Sequence, residues 1–88
     1  MWKIDKSRAK FSRQGLTAAE QNKFDAFKIA VHQRGMHPKD AAKAAGDTNY
    51  KQLIGDQYQI RLSQGNRVTF TVNTTTETVH ILQVGGHT

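Results

Sequence analysis

The sequence contains no cysteine, a single proline and no long apolar run. The absence of cysteine excludes disulfide bonds, thiolate zinc sites and cysteine nucleophiles. No stretch approaches the roughly 20 apolar residues of a membrane-spanning helix. Residues 1–13 mix basic and apolar side chains and lack the apolar core of a signal peptide. We therefore expect a cytoplasmic protein with no membrane partner.

The histidines do not have the spacing of a metal site. His32, His37, His80 and His87 form no HExxH or HxH pattern, and no carboxylates cluster beside them. A chain of 88 residues is one domain's length and is too small to enclose a deep cofactor cavity. We expect a single domain over residues 1–88 with a shallow active surface, no metal and no other cofactor.

Acidic residues are scarce relative to basic ones. Seven Asp and Glu stand against 13 Lys and Arg, which gives a net charge of +6. Residues 1–46 hold ten Lys and Arg and four Asp and Glu, whereas residues 47–88 hold three of each, so the whole excess lies in the first half. This charge favours a polyanionic partner, either nucleic acid or an acidic protein.

The first half of the chain predicts two helices after a short strand. Thr17 and Glu20 have the spacing of a capping box, and apolar side chains then recur at helical intervals over residues 18–34. Gly35 suits the left-handed residue that follows a helix. Pro38 fits the first position of a second helix, which an alanine-rich stretch continues as far as Gly46.

The second half predicts strands, because apolar and polar residues alternate over 57–63, 67–73 and 78–84. Leu82 and Val84 break the alternation, which indicates a bulge or burial on both faces. The predicted fold class is α+β: a small antiparallel sheet built from the first strand and a three-stranded meander, with both helices packed on one face.

Two arginines fall on the solvent face of this predicted meander. A three-residue loop over 64–66 would pair Ser63 with Arg67 and make Arg61 a diagonal neighbour of Arg67. An antiparallel last strand would place His80 opposite Thr71 and carry the tail with His87 past both arginines. Two guanidinium groups so placed can converge on one phosphate.

Three segments of the second half resemble the RelE/ParE superfamily of toxins from toxin–antitoxin systems. The shared pattern is a leucine-glycine lead-in, a tyrosine-led strand, an arginine that opens the next strand, and a last strand that closes in valine-glycine and a basic residue. The segments are LIGDQYQIRL at 53–62, NRVTFTV at 66–72 and VHILQVGGH at 79–87. The first half is similar only in the order of its elements.

The resemblance implies a metal-free endoribonuclease that cleaves messenger RNA in the ribosomal 30S A site, as in the RelE, YoeB, YafQ and HigB branches, and that a cognate antitoxin neutralises. It gives catalytic roles to Arg61, Arg67 and His87. The arginines would stabilise the negative charge of the phosphorane, and His87 would transfer a proton. Because the nucleophile is the RNA 2′-hydroxyl, the product would be a 2′,3′-cyclic phosphate. The chain has no aromatic residue after His87 and no obvious carboxylate on the solvent face unless Asp56 reaches it.

Further residues are expected to hold the RNA rather than to react with it. Gln59 stands where RelE itself has a lysine, and the other candidates are mostly basic residues of the first half. The expected RNA-binding residues are Gln59, Lys6, Arg8, Lys10, Arg13 and His80. Two other functions remain open: a noncatalytic gyrase inhibitor of the ParE branch, and a bacteriocin-type domain that cleaves transfer RNA.

Overall fold

The computed structural model describes residues 1–11, 15–46 and 49–85 of the chain. Over these residues the chain forms six strands and two helices and is an α+β domain, as the sequence predicts. In chain order the elements are β1 (Lys3–Asp5), β2 (Lys10–Phe11), α1 (Ala18–His32), α2 (Pro38–Ala44), β3 (Lys51–Ile54), β4 (Gln57–Arg61), β5 (Arg67–Asn73) and β6 (Thr78–Val84).

The helices begin where the sequence places them. At the start of α1, the Thr17 side chain accepts a hydrogen bond from the Glu20 N–H at 3.2 Å, and Glu20 Oε1 accepts one from the Thr17 N–H at 2.8 Å. The helix ends at His32, two residues before the predicted end, and Gly35 then adopts a φ of +66°. Pro38 occupies the first turn of α2. Both helix starts are therefore set by local sequence.

The sheet is mixed rather than antiparallel, which corrects the predicted topology. Its strand order is β1-β6-β5-β4-β3, and β2 pairs with β6 beyond the end of β1. Both β1 and β2 run parallel to β6, whereas β3, β4, β5 and β6 form antiparallel pairs. The prediction failed because alternation along a strand says nothing about the direction of a partner from the other end of the chain.

Two of the strands, β2 and β3, were not predicted. The first has only two residues, and all four side chains of the second are exposed, so neither carries an apolar alternation. The strand β3 pairs with β4 through a tight turn in which Gly55 has a φ of +56°. It forms the outer edge of the sheet on that side.

The β4–β5 hairpin pairs two residues away from the predicted register. Arg61 lies directly opposite Arg67, so the connecting loop spans residues 62–66 instead of 64–66. The cause is Ser63, whose hydroxyl accepts hydrogen bonds from the N–H groups of Gly65 and Asn66 and so belongs to the turn rather than to the strand. A shift of two residues leaves every side chain on its predicted face.

The β5–β6 pairing confirms two predictions. Thr71 pairs with His80, as expected. The register shifts between Thr69, which pairs with Gln83, and Phe70, which pairs with Ile81, so Leu82 is the extra residue of a bulge. The bulge restores Val84 to the apolar side of the sheet, where it is buried.

One apolar core joins both helices to one face of the sheet. Phe27 of α1 contacts Phe70 of β5, with 5.4 Å between ring centroids, and both side chains are fully buried. Ala41 and Ala42 of α2 belong to the same cluster. Because both helices pack on this face, the polar side chains of the strands project from the other one.

Candidate nucleic-acid interface

The sheet face opposite the core is polar, and we call it the open face. Strand pairing places its side chains on one surface, because directly paired residues point the same way. The polar ones are Lys3, Asp5, Lys10, Lys51, Gln57, Gln59, Arg61, Arg67, Thr69, Thr71, Asn73, Thr78, His80 and Gln83, and the exposed Ile54, which pairs with Gln57, is an apolar exception. Among these described strand residues, five are Lys or Arg and one is acidic, which makes the open face cationic.

The opposed arginines lie near one end of this face. Side chains directly opposite in an antiparallel pair have Cβ atoms about 4.5–5.5 Å apart, closer than the diagonal arrangement predicted. Arg61 is exposed and Arg67 is half-buried. In the described part of the chain, no carboxylate lies within ion-pair distance of Arg61. Two like charges in this position disfavour folding slightly, and an anion bound between them would remove that repulsion.

Gln59 holds one of the two arginines in place. Its side-chain oxygen accepts a hydrogen bond from Arg67 Nη1 at 3.0 Å, and the residue itself is 5% exposed. Gln59 was expected to contact RNA, which stays a prediction; in the structure its buried side chain holds the Arg67 guanidinium. A side chain fixed before the ligand arrives loses less entropy when it binds.

A buried carboxylate fixes the loop that joins the arginine strands. Glu20 is 4% exposed, and its Oε2 accepts hydrogen bonds from the Ser63 hydroxyl and, at 2.9 Å, from Asn66 Nδ2. These bonds, together with the one from the Thr17 N–H, lower the pKa of Glu20 from 4.5 to about 2. The capping box predicted the Thr17 contact. The contacts of Glu20 with Ser63 and Asn66 were not predicted, because they join residues more than 40 positions apart.

A histidine and an aspartate form a second polar cluster on the open face. His80 Nδ1 lies 3.4 Å from Asp5 Oδ2, and the Ser7 N–H donates to Asp5 Oδ1 at 2.8 Å. Hydrogen bonds from Ser7, with a smaller effect of His80, hold the pKa of Asp5 below its ordinary value. The cluster lines an open cleft together with Lys3 and Lys6.

Asp5 places a carboxylate on the open face, where none was predicted. Asp56, which was considered for that position, lies in the turn between β3 and β4. The position of Asp5 follows from alternation in β1. Ile4 packs against the core, so the adjacent Asp5 side chain must point to the open face. Its pairing with His80 required the parallel alignment of β1 and β6.

The remaining predicted residues are dispersed. Lys10 pairs with Gln83 on the open face, whereas Lys6 and Arg8 are exposed in the connection between β1 and β2. Arg13 and His87 lie outside the described residues. The N–H of Gly85 donates to the Arg67 carbonyl at 2.7 Å, so the last described residue lies beside the arginine pair, as the predicted antiparallel return requires.

The described ranges contain neither a metal-ligand cluster nor a helix that could span a membrane. No group of three His, Asp or Glu side chains there could hold a metal ion. Neither α1 nor α2 has the length and apolar character that crossing a membrane requires.

Two comparisons with known proteins found no match. No model of a known protein family matches the chain, and no curated protein matches it significantly. The similarity to RelE/ParE toxins therefore stays a prediction that rests on the three segments quoted above.

Proposed function

We propose that this protein is the toxin of a toxin–antitoxin system, a metal-free endoribonuclease that cleaves ribosome-bound messenger RNA in the cytoplasm and is neutralised by an antitoxin protein. The cationic open face with its opposed Arg61 and Arg67 is the observation that carries the RNA part of this proposal. The toxin and antitoxin parts rest on the resemblance of residues 53–88 alone.

The open face suits a single strand of nucleic acid. The exposed strand surface is shallow, and its charge follows the sheet from Lys51 at one edge to Lys3 and Lys10 at the other. Phosphate contacts from Lys and Arg supply most of the affinity for a nucleic acid whose sequence is not read. The paired arginines bind one backbone phosphate through charge-assisted hydrogen bonds, with Arg67 held by Gln59.

The direct test is cleavage of messenger RNA by the purified chain, with and without programmed ribosomes. We expect cleavage that depends on ribosomes, with a 2′,3′-cyclic phosphate on one product and a 5′-hydroxyl on the other. A 2′-deoxy substitution at the cleaved position should abolish it, because the 2′-oxygen is the nucleophile. Intact message together with inhibited DNA gyrase would favour the ParE-like alternative, and cleaved transfer RNA would favour the bacteriocin-type one.

The basic residues between positions 6 and 13 of the sequence should govern affinity for RNA through counterion release. For single strands, the logarithm of the binding constant falls with the logarithm of salt concentration by about 0.7 for each phosphate neutralised. We expect a combined change to glutamine to weaken RNA binding and to reduce this slope by up to about 3. The four substituted residues are Lys6, Arg8, Lys10 and Arg13.

A control variant of equal charge instead removes cations from the two helices and from the loop that joins them. It replaces Lys23, Arg34, Lys39 and Lys43 with glutamine. Because the helices pack behind the sheet, this variant should keep a slope closer to that of the wild type. Equal slopes for the two variants would mean that net charge, rather than position, sets the affinity.

A further inference from the structure

We infer that His80, oriented by Asp5, is the general base that removes the proton from the RNA 2′-hydroxyl. This inference rests on the proposed endoribonuclease function and supplies the proton acceptor that the sequence left undefined. It differs from the sequence-based expectation, which gave proton transfer to His87.

The cluster has the geometry that a general base needs. Ser7 fixes one carboxylate oxygen of Asp5, and the other oxygen faces His80 Nδ1 at 3.4 Å. An Nδ1–H directed at this carboxylate leaves Nε2 as the unprotonated ring atom of a neutral imidazole. The separation is long for a hydrogen bond, but catalytic contacts are often loose before substrate binds. The Nε2 atom is therefore the one available to take a proton.

The Asp5–His80 cluster is exposed to solvent and has lysines beside it. The side chains of His80 and Asp5 are 40% and 41% exposed, so an RNA strand can reach them. The cations that line the same cleft are Lys3 on β1 and Lys6 just after it, while β5 contributes the neutral Asn73. Lysine ammonium groups at this position suit the nonbridging oxygens of a reacting phosphate, which gain negative charge in the transition state.

The arginine pair lies too far along the sheet to act on the same phosphate. Thr71, the partner of His80, is four residues from Arg67 on β5, which corresponds to about 13 Å. We therefore assign the arginines to a neighbouring backbone phosphate and the cleft to the scissile one. In this arrangement Arg61 and Arg67 fix the register of the RNA strand, and the His80 cluster carries out the reaction.

The reaction balances without a metal or a redox partner. The 2′-oxygen forms a bond to phosphorus while its proton passes to His80 Nε2. The bond between phosphorus and the 5′-oxygen breaks, and the departing oxygen takes a proton from water. The resulting hydroxide is neutralised by the His80 imidazolium, so the products are a 2′,3′-cyclic phosphate and a 5′-hydroxyl.

The test is single-turnover cleavage of message on programmed ribosomes by the full chain and three histidine variants. The variants are His80→Gln, His87→Gln and, as a control on α1, His32→Gln. Loss of a general base typically lowers a rate by about 10²–10⁴. We expect at least a 10²-fold lower rate at saturating ribosomes for His80→Gln, with unchanged binding, and near wild-type rates for His32→Gln.

Asp5 is a positioning residue, so its test needs a readout besides rate. Asp5→Asn should lower the rate at saturating ribosomes with little effect on affinity, and Asp5→Glu should retain more activity than Asp5→Asn. Nitrogen-15 NMR of the free protein should show neutral His80 protonated at Nδ1, and this preference should be lost in Asp5→Asn.

The outcomes separate this inference from the proposed function. If the wild type cleaves message and His80→Gln cleaves equally fast, the base assignment is wrong and the endoribonuclease stands. If the cleavage rate falls strongly in His87→Gln alone, His87 transfers the proton and the scissile phosphate lies at the arginine pair. A wild-type protein that cleaves no RNA overturns both proposals, and NMR that places the His80 proton on Nε2 overturns the orientation by Asp5.

Discussion

The double variant Arg61→Ala with Arg67→Ala is expected to lower kcat/KM for RNA cleavage by about 10²-fold or more. Hydrogen bonds to a charged group contribute about 1.5–3 kcal/mol each, and the variant loses both guanidinium donors to the bound phosphate. Single variants should show smaller losses, with Arg67→Ala the larger because Gln59 holds that guanidinium in place. Cleavage kinetics over a range of ribosome concentrations measure the effect, which should lie mainly in KM.

The matched control is Arg34→Ala, which removes an exposed arginine just after α1. It should leave kcat/KM within about twofold of the wild type. Because opposed like charges destabilise a strand pair, the Arg61→Ala variant should also unfold at an equal or slightly higher denaturant concentration than the wild type. A double variant that cleaves at the wild-type rate would refute the phosphate-binding role, and a loss confined to kcat would place the scissile phosphate at the arginines.

The second large effect is expected at Glu20, where Glu20→Gln should lower the free energy of unfolding by about 2–3 kcal/mol at pH 7. The carboxylate accepts from the Thr17 N–H, the Ser63 hydroxyl and Asn66 Nδ2. Glutamine has one acceptor oxygen, and its amide group would be directed at donors, which leaves buried polar atoms unsatisfied. Urea denaturation of both proteins gives the difference.

The pH dependence of this difference follows from the lowered pKa of Glu20. The folded value is about 2 and the ordinary value is 4.5, so the carboxylate stabilises the fold fully above pH 4.5. The stabilisation is lost as the pH falls through about 2. The gap between wild type and Glu20→Gln should therefore be constant from pH 7 to pH 5 and narrow towards pH 2.

Asp25→Asn is the control on the same helix. Asp25 forms an ion pair with Lys28 at 3.2 Å, but its side chain is 46% exposed. Exposed ion pairs contribute about 0–1 kcal/mol. A loss at Asp25 as large as that at Glu20 would show that general helix electrostatics, rather than the loop contacts, account for the effect.

The local parts of the fold could be predicted from sequence because their causes are local. Thr17 and Glu20 set the start of α1, Gly35 follows its end, and alternation assigns each meander residue to its face. The broken phase at Leu82 likewise predicted the bulge in β6. Each of these signals spans only a few residues, so composition and spacing were sufficient.

The parts that failed depend on contacts between distant residues. The β4–β5 register could not be predicted because Ser63 leaves the strand for the turn, where its hydroxyl also bonds to Glu20 on another element. Asp5 was missed for the same reason, since its neighbour His80 is set by a parallel pairing between the first and last strands. Periodicity identifies the face of a side chain but gives no information about its partner across the sheet.

The parallel pairing of β1 with β6 also determines when the His80 cluster can exist during protein synthesis. The meander β4–β6 pairs segments that are neighbours in the chain, whereas β1 pairs with the last strand and so closes a much longer loop, which is slow and entropically costly. Until the ribosome has made β6, Asp5 has no histidine beside it. The two side chains come together only when the first and last strands pair, so their contact is one of the last to form in the fold.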